Sequence, residues 1–135
     1  MSLIAWNQAF CVKIKKFDDQ HKELVRFINQ LHDAMKVGKG REVLGEIFQS
    51  LANYTITHFR DEELVMRLHK YEGYEEHKKE HGILTAKVNE MLESYSNGNN
   101  IISLNVMSFM RNWLIFHILE CDKNYGSFLN SMGVV

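Results

Sequence analysis

Five histidines and two carboxylates are placed along this chain as metal ligands would be. His21 stands alone, His58 precedes Glu62 by four residues, His77 precedes His81 by four, and His117 precedes Asp122 by five. Residues four apart on a helix point the same way, with Cβ atoms about 6 Å apart. His77 and His81 can therefore grip one metal from one helix, and His58 with Glu62 can do the same from another. A carboxylate has two oxygens, so Glu62 can bridge two metals while His58 binds one of them. Structural zinc usually takes four ligands and stops. Seven ligands exceed one such site and fit a dinuclear one. Nitrogen and oxygen donors without a thiolate suit iron, manganese or zinc, and the ligand set alone does not choose among them.

The segments that must carry these side chains are helical in pattern. His21, Leu24, Ile28, Leu31 and Met35 recur at alternating steps of three and four, which is one stripe of an amphipathic helix. Asp18 or Asp19 offers an oxygen to cap its start, and Gly38 and Gly40 end it. A second stripe holds Leu44, Ile47, Leu51, Tyr54, His58, Glu62 and Val65, and a third holds His77, His81, Leu84, Val88, Met91 and Tyr95. The cluster from Ser96 to Asn100 stops the third. A fourth carries Ile102, Val106, Phe109, Trp113 and His117 and fades after Asp122.

The expected helices span 18–37, 41–69, 74–95 and 101–121. Residues 1–17 read as an irregular N-terminal arm whose Trp6, Phe10, Val12 and Ile14 cover one end of the core, and Tyr125 and Phe128 belong to a short docked turn. Four amphipathic helices with short connections predict an all-α, antiparallel up-down-up-down four-helix bundle, one domain over 1–135. Each of the five histidines sits on its segment's apolar seam. Burying imidazoles and carboxylates is costly unless something binds them.

The spacing from His117 to Asp122 is awkward. Five residues of regular helix turn about 500°, leaving Asp122 roughly 140° away from His117. Either the helix widens there, as π-bulges do at functional sites, or Asp122 is no ligand and Glu120, three after His117, takes its place. Spacing alone slightly favours Glu120.

Composition narrows the function. The chain has 135 residues, 45% apolar and 24% charged, as in an ordinary globular domain. It has no proline, which favours long uninterrupted helices. A net charge of −1 with interspersed signs leaves no footprint for nucleic acid. No apolar run reaches membrane-spanning length and MSLIAWNQAF is no signal peptide, so a cytoplasmic protein is expected. A monomer is the simple expectation.

A lone histidine on an apolar stripe is more often core than ligand, but five on four stripes reverse that preference. His32 and His69 fit no ligand pair and are expected to be exposed. Glu63 is turned about 100° from Glu62 and is expected to face solvent. Cys121, beside Asp122, reads as a small buried hydrophobe, with oxidation as the alternative. Cys11 lies in the arm, and a disulfide between the two is not expected in the cytoplasm. Met35, Met66, Met91, Met107 and Met110 read as core filler.

Read in order, WNQAF, FDDQHKEL around His21, HFRDEELVM around His58 and Glu62, HKKEH at His77 and His81, and WLIFHILECDKNY at His117 and Asp122 form a combined pattern H, HxxxE, HxxxH, HxxxxD. This resembles the hemerythrins, specifically the single-domain bacterial hemerythrins, over nearly the whole chain. The resemblance implies a di-iron centre of two iron ions with an oxo or hydroxo bridge. One iron would take His77, His81 and His117; the other would take His21 and His58 and keep a position open. Glu62 and Asp122 would bridge them, which implies a distorted helix before Asp122. It also implies an O2 pocket lined by Leu24, Phe59, Trp113, Leu114 and Ile118.

The function so implied is reversible O2 binding for storage, buffering or delivery, with O2 as the partner and no enzymatic turnover. Five neutral imidazoles and only two carboxylates suit this, because more anionic ligand sets stabilise highly oxidised iron. No acid, base or nucleophile for organic chemistry stands out. The alternatives are an O2 or redox sensor domain, which needs an output element, and a di-iron enzyme consuming peroxide or nitric oxide.

Overall fold

Helix α1 (Lys15–Lys36) begins before the first predicted cap, at a residue following extended Ile14. Asp18 does not cap it from outside. It lies within the first turn, and its Oδ1 accepts a 2.7 Å hydrogen bond from the Val12 amide, tying the arm to the helix. Helices α2 (Arg41–Leu68), α3 (Tyr74–Ser96) and α4 (Leu104–Phe116) follow. The computed structural model describes residues 3–38, 41–98 and 104–135, except the side chains of 41, 42 and 104–106. Gly40, Asn99, Asn100 and Ile102, along with the Val106 side chain, therefore lie outside the described residues.

The fourth helix does not fade at Asp122. A π-helical segment, His117–Asp122, runs straight into α5 (Lys123–Ser131), so the expected docked turn is a helix. The arm is not wholly irregular either, since Gln8–Phe10 form a 3-10 turn capped by the Asn7 side chain. Gly126 on α5 permits the arm to pass close by: a Cβ there would meet the Val12 carbonyl oxygen at 2.9 Å.

Neighbouring helices are antiparallel. His21 and His77, early in α1 and α3, meet Glu62, late in α2, while Gly45, early in α2, packs against Tyr95, late in α3. His117, at the far end of α4, meets His77 and His81. The result is an all-α four-helix bundle, with no strand among the described residues. The inner line of α4 is Met107, Met110, Leu114, His117 and Ile118; Phe109, predicted on the stripe, is 39% exposed.

Two apolar clusters result. The larger runs through the bundle and includes Leu24, Ile28, Leu31, Leu51, Phe59, Leu84, Met110 and Leu114. The smaller closes one end with Val12, Ile14, Phe17, Met66, Tyr125 and Leu129. Each large side chain so buried contributes roughly 1.5–3 kcal/mol of transfer free energy. The polar side chains sit between the clusters. Phe17 and Tyr125 set ring edges against His58 and His77, and Phe59 and Trp113 lie flat on His81 and His117.

Candidate metal centre

All seven side chains singled out by type and spacing meet in one buried cluster. Their ligating atoms form two groups, each within 4.8 Å: Glu62, His77, His81, His117 and Asp122, and then His21, His58, Glu62 and Asp122. The carboxylates belong to both. Asp122 spreads its two oxygens, with Oδ1 at 2.9 Å from His77 Nε2 and 3.0 Å from His117 Nε2, and Oδ2 at 3.0 Å from His21 Nε2. Glu62 Oε1 lies 3.2 Å from His81 Nε2 and 3.3 Å from His58 Nε2.

Helix geometry explains the reach of Asp122. In a regular helix it would point away from His117; the π-helical segment adds a residue to the turn and brings both side chains inward. Glu120, the competitor on regular spacing, is exposed.

The donor atoms fit a metal better than they fit one another. His77 Nε2, Glu62 Oε1 and both Asp122 oxygens are buried and lack a hydrogen-bond partner, although other donor atoms stand at contact distance. His81 Nε2 and His117 Nε2 face each other at 3.0 Å. Two nitrogens about 2.1 Å from one first-row metal ion, at right angles, would sit roughly 3.0 Å apart.

Electrostatics agree. Burial alone would push His21 and His77 down, but the Asp122 and Glu62 carboxylates outweigh it, holding His21 up at about 10 and His77 at about 9. Burial lowers His58. Burial opposes ionisation of Glu62 and Asp122, yet the surrounding imidazoles hold both well below the ordinary carboxylate range. Two buried anions are thus neutralised by protons on imidazoles, the positions a divalent cation would take over.

Sequence reasoning missed three neighbours. Gln20 Oε1 accepts a 2.6 Å hydrogen bond from His58 Nδ1–H, and its amide donates to Asp61 at 2.9 Å. Glu63 does not simply face solvent; its Oε2 accepts from His81 Nδ1–H at 2.8 Å. Tyr125 donates its hydroxyl to Glu62. A signal for Tyr125 existed, since it stands three residues after Asp122 on one helical face. His32 and His69 are half-buried where exposure was expected; neither belongs to the cluster, and His69 Nδ1–H donates to the Val65 carbonyl at 3.0 Å. Cys121 is half-buried, and burial together with nearby Asp122, Glu80 and Glu120 pushes its thiol up to about 11, so it stays protonated at neutral pH. Cys11 is also a free thiol.

Beside the cluster lies an apolar cavity of about 30 Å³ lined by Leu24, Phe59, Trp113, Leu114 and their neighbours. Ile118 is buried in the same core but does not line it. Thr55, the polar residue in the wall, turns its hydroxyl to the Leu51 carbonyl at 2.7 Å.

Residues 12–129 match the family model described as Hemerythrin HHE cation binding domain. A bacteriohemerythrin of Methylococcus capsulatus (strain Bath) is 32% identical over 97% of this chain and 100% of its own. One from Pseudomonas aeruginosa (strain PAO1) is 31% identical over 93% of this chain and 80% of its own. A crystal structure of wild-type hemerythrin matches at TM-score 0.89 and 31% identity, covering 93% of this chain and 97% of that one. Sequence, fold and the buried imidazole–carboxylate cluster have one common account: this chain belongs to the hemerythrin family.

Proposed function

We propose that this protein binds O2 reversibly at a di-iron centre, to store, buffer or deliver it. His77, His81 and His117 hold one iron, His21 and His58 hold the other, and Glu62 and Asp122 serve both. The observation carrying this reading is the asymmetry of the cluster: five ligating side chains converge on one side and four on the other. The side with fewer ligands has room for a small exogenous molecule. The family, which binds O2 at a di-iron site, supports the choice of metal and ligand.

When bound, the iron pair supplies the electrons that make O2 a ligand. The remaining chemistry belongs to the protein. Leu24, Phe59, Trp113 and Leu114 border an apolar cavity that can admit a molecule the size of O2 or water, and apolar cavities of this kind stay dry. Dryness opposes protonation and loss of the bound ligand. Thr55 in the cavity wall and Tyr125 beside Glu62 hold their hydroxyls in bonds to Leu51 and Glu62, which withholds their protons.

The test is anaerobic loading with ferrous iron, then cycles of O2 addition and removal with the visible spectrum recorded. Two irons per chain and a band that comes and goes with O2 are expected. A band that never forms, or one-way conversion to ferric protein, would reject the carrier reading in favour of an enzyme or a redox sensor.

A further inference from the structure

Each ligand group contains one histidine whose outer nitrogen is held by a side chain from another helix, and the two anchors differ in charge. In the four-membered group, His58 Nδ1–H donates to the neutral amide oxygen of Gln20 at 2.6 Å. In the five-membered group, His81 Nδ1–H donates to the carboxylate of Glu63 at 2.8 Å. The outer nitrogens of His21 and His117 are buried without a partner, so these two bonds are not a general property of the cluster.

We propose that Gln20 and Glu63 are positioning residues with unequal electronic effects. Both fix the tautomer that leaves Nε2 free for metal, and Glu63 alone also makes its histidine a stronger donor, so the iron held by His81 is the one that favours the ferric state. This rests on the di-iron reading above. Three observations carry it. First, oxygen atoms of an amide and of an ionised carboxylate only accept, so both bonds require the proton on Nδ1. A hydrogen bond from a ligand imidazole to a carboxylate raises its basicity. Second, Gln20 is held in the neutral role by its surroundings. Its Nε2 donates to Asp61 Oδ2 at 2.9 Å, and a carboxylate in its place would face the Asp61 carboxylate. Lys16 stands 3.6 Å from the same oxygen and completes the chain to the surface.

Third, Glu63 is placed so that its effect is graded. Its side chain is 22% exposed at the floor of an open groove of about 500 Å³, between α2 and α3, bordered by Arg60, Arg67 and Lys78. Water in the groove screens its charge, so the effect is smaller than that of a fully buried carboxylate. Phe59 closes the other side of His81, stacked at 3.8 Å with the planes 4° apart, which keeps the ring from rotating out of the bond. Gln20 meanwhile shows, within the same molecule, that a glutamine can hold a ligand histidine at this distance.

That internal comparison defines the experiment. Glu63→Gln keeps an acceptor and removes the charge; Glu63→Leu removes both; Gln20→Leu removes the neutral anchor. Each is loaded with Zn²⁺, to read affinity by chelator competition, and with iron, to read the reduction potential. Glu63→Leu and Gln20→Leu are each expected to weaken one of the two ions by about 10–100-fold. Glu63→Gln is expected to retain wild-type Zn²⁺ affinity within a few-fold and to raise the potential, tenfold in relative ferric affinity being about 59 mV for one electron. Gln20→Leu should leave the potential of the His81 iron where it was. Wild-type affinity in both leucine variants overturns the positioning role, and an unchanged potential in Glu63→Gln overturns the electronic one. A wild-type chain that takes up neither metal overturns the di-iron reading itself, which variant-independent result separates that failure from this one.

Discussion

Tyr125 donates its hydroxyl to Glu62, the carboxylate that both ligand groups share. The two residues lie 63 positions apart in the sequence and are both fully buried. Burial, followed by the Glu62 and Asp122 charges, pushes the phenol well above its usual pKa, so it remains a donor at any working pH. Tyr125→Phe leaves a buried anion short of a donor. The expected cost is about 1.5–3 kcal/mol of stability in the metal-free protein, the usual worth of a hydrogen bond to a charged group. Urea unfolding reads it, and an unchanged midpoint would show that the bond contributes nothing.

Asp122 and Glu120 can be separated by metal content. Asp122→Ala removes a carboxylate that lies against His21, His77 and His117. The expected result is fewer than two irons per chain after anaerobic loading. Glu120→Gln, at an exposed position, should retain both. Loss of iron in the Glu120 variant instead would mean that the helix closes on the wrong carboxylate.

Leu114 is 5% exposed and borders the apolar cavity. Leu114→Ala enlarges that cavity and should cost about 3–5 kcal/mol, as large-to-small changes in a packed core do. If the centre holds the proposed irons, water admitted beside it should also speed spontaneous oxidation of the O2-loaded protein. Stopped-flow spectra would measure it, and an unchanged rate would mean that Leu114 does not guard the pocket.

The metal-free protein should be most stable near pH 6.5 and should lose stability as pH rises from there towards 9 to 10. His21 and His77 have folded pKa values of about 10 and about 9, above the free value of 6.5, so their stabilisation is complete below 6.5 and is lost as pH rises through 9 to 10. His58 is shifted down, so it subtracts stability as pH falls below 6.5. Glu62 and Asp122 are depressed, so their contribution disappears as pH falls through and below the ordinary carboxylate range. Thermal melts across pH 4 to 10.5 test this; a flat profile above pH 8.5 would contradict the histidine assignment. Metal loading near neutral pH should release protons and tighten as pH rises.

The helix-patterned seams and the ligand-type side chains on them were readable because both are local: a period near 3.6 and a spacing of four need no knowledge of neighbours. The anchors were not readable, because each depends on which helix packs alongside. Glu63 is turned about 100° from Glu62, as expected. On a helix flanked by α1 on one side and α3 on the other, that turn aims it at α3 and not at water. Gln20 reaches His58 for the same reason from α1. Phe109 shows the opposite case: it fits the period, but the inner line of α4 passes beside it, through Met107, Met110 and Leu114. Regular helix spacing favours Glu120 over Asp122, and a π-helical turn stands there instead.

That turn has a consequence in time as well as in space. His117 and Asp122 are its first and last residues, so a metal held between them clamps both ends of one six-residue stretch of backbone. Released from the clamp, the stretch can relax toward the tighter regular winding, and α5 with Tyr125 would have to rotate to follow. Occupancy of the centre would therefore be written in the backbone as a rate: amide exchange across 117–122 is expected to be slower with a metal in place than without one, and α5 would carry the difference toward the surface.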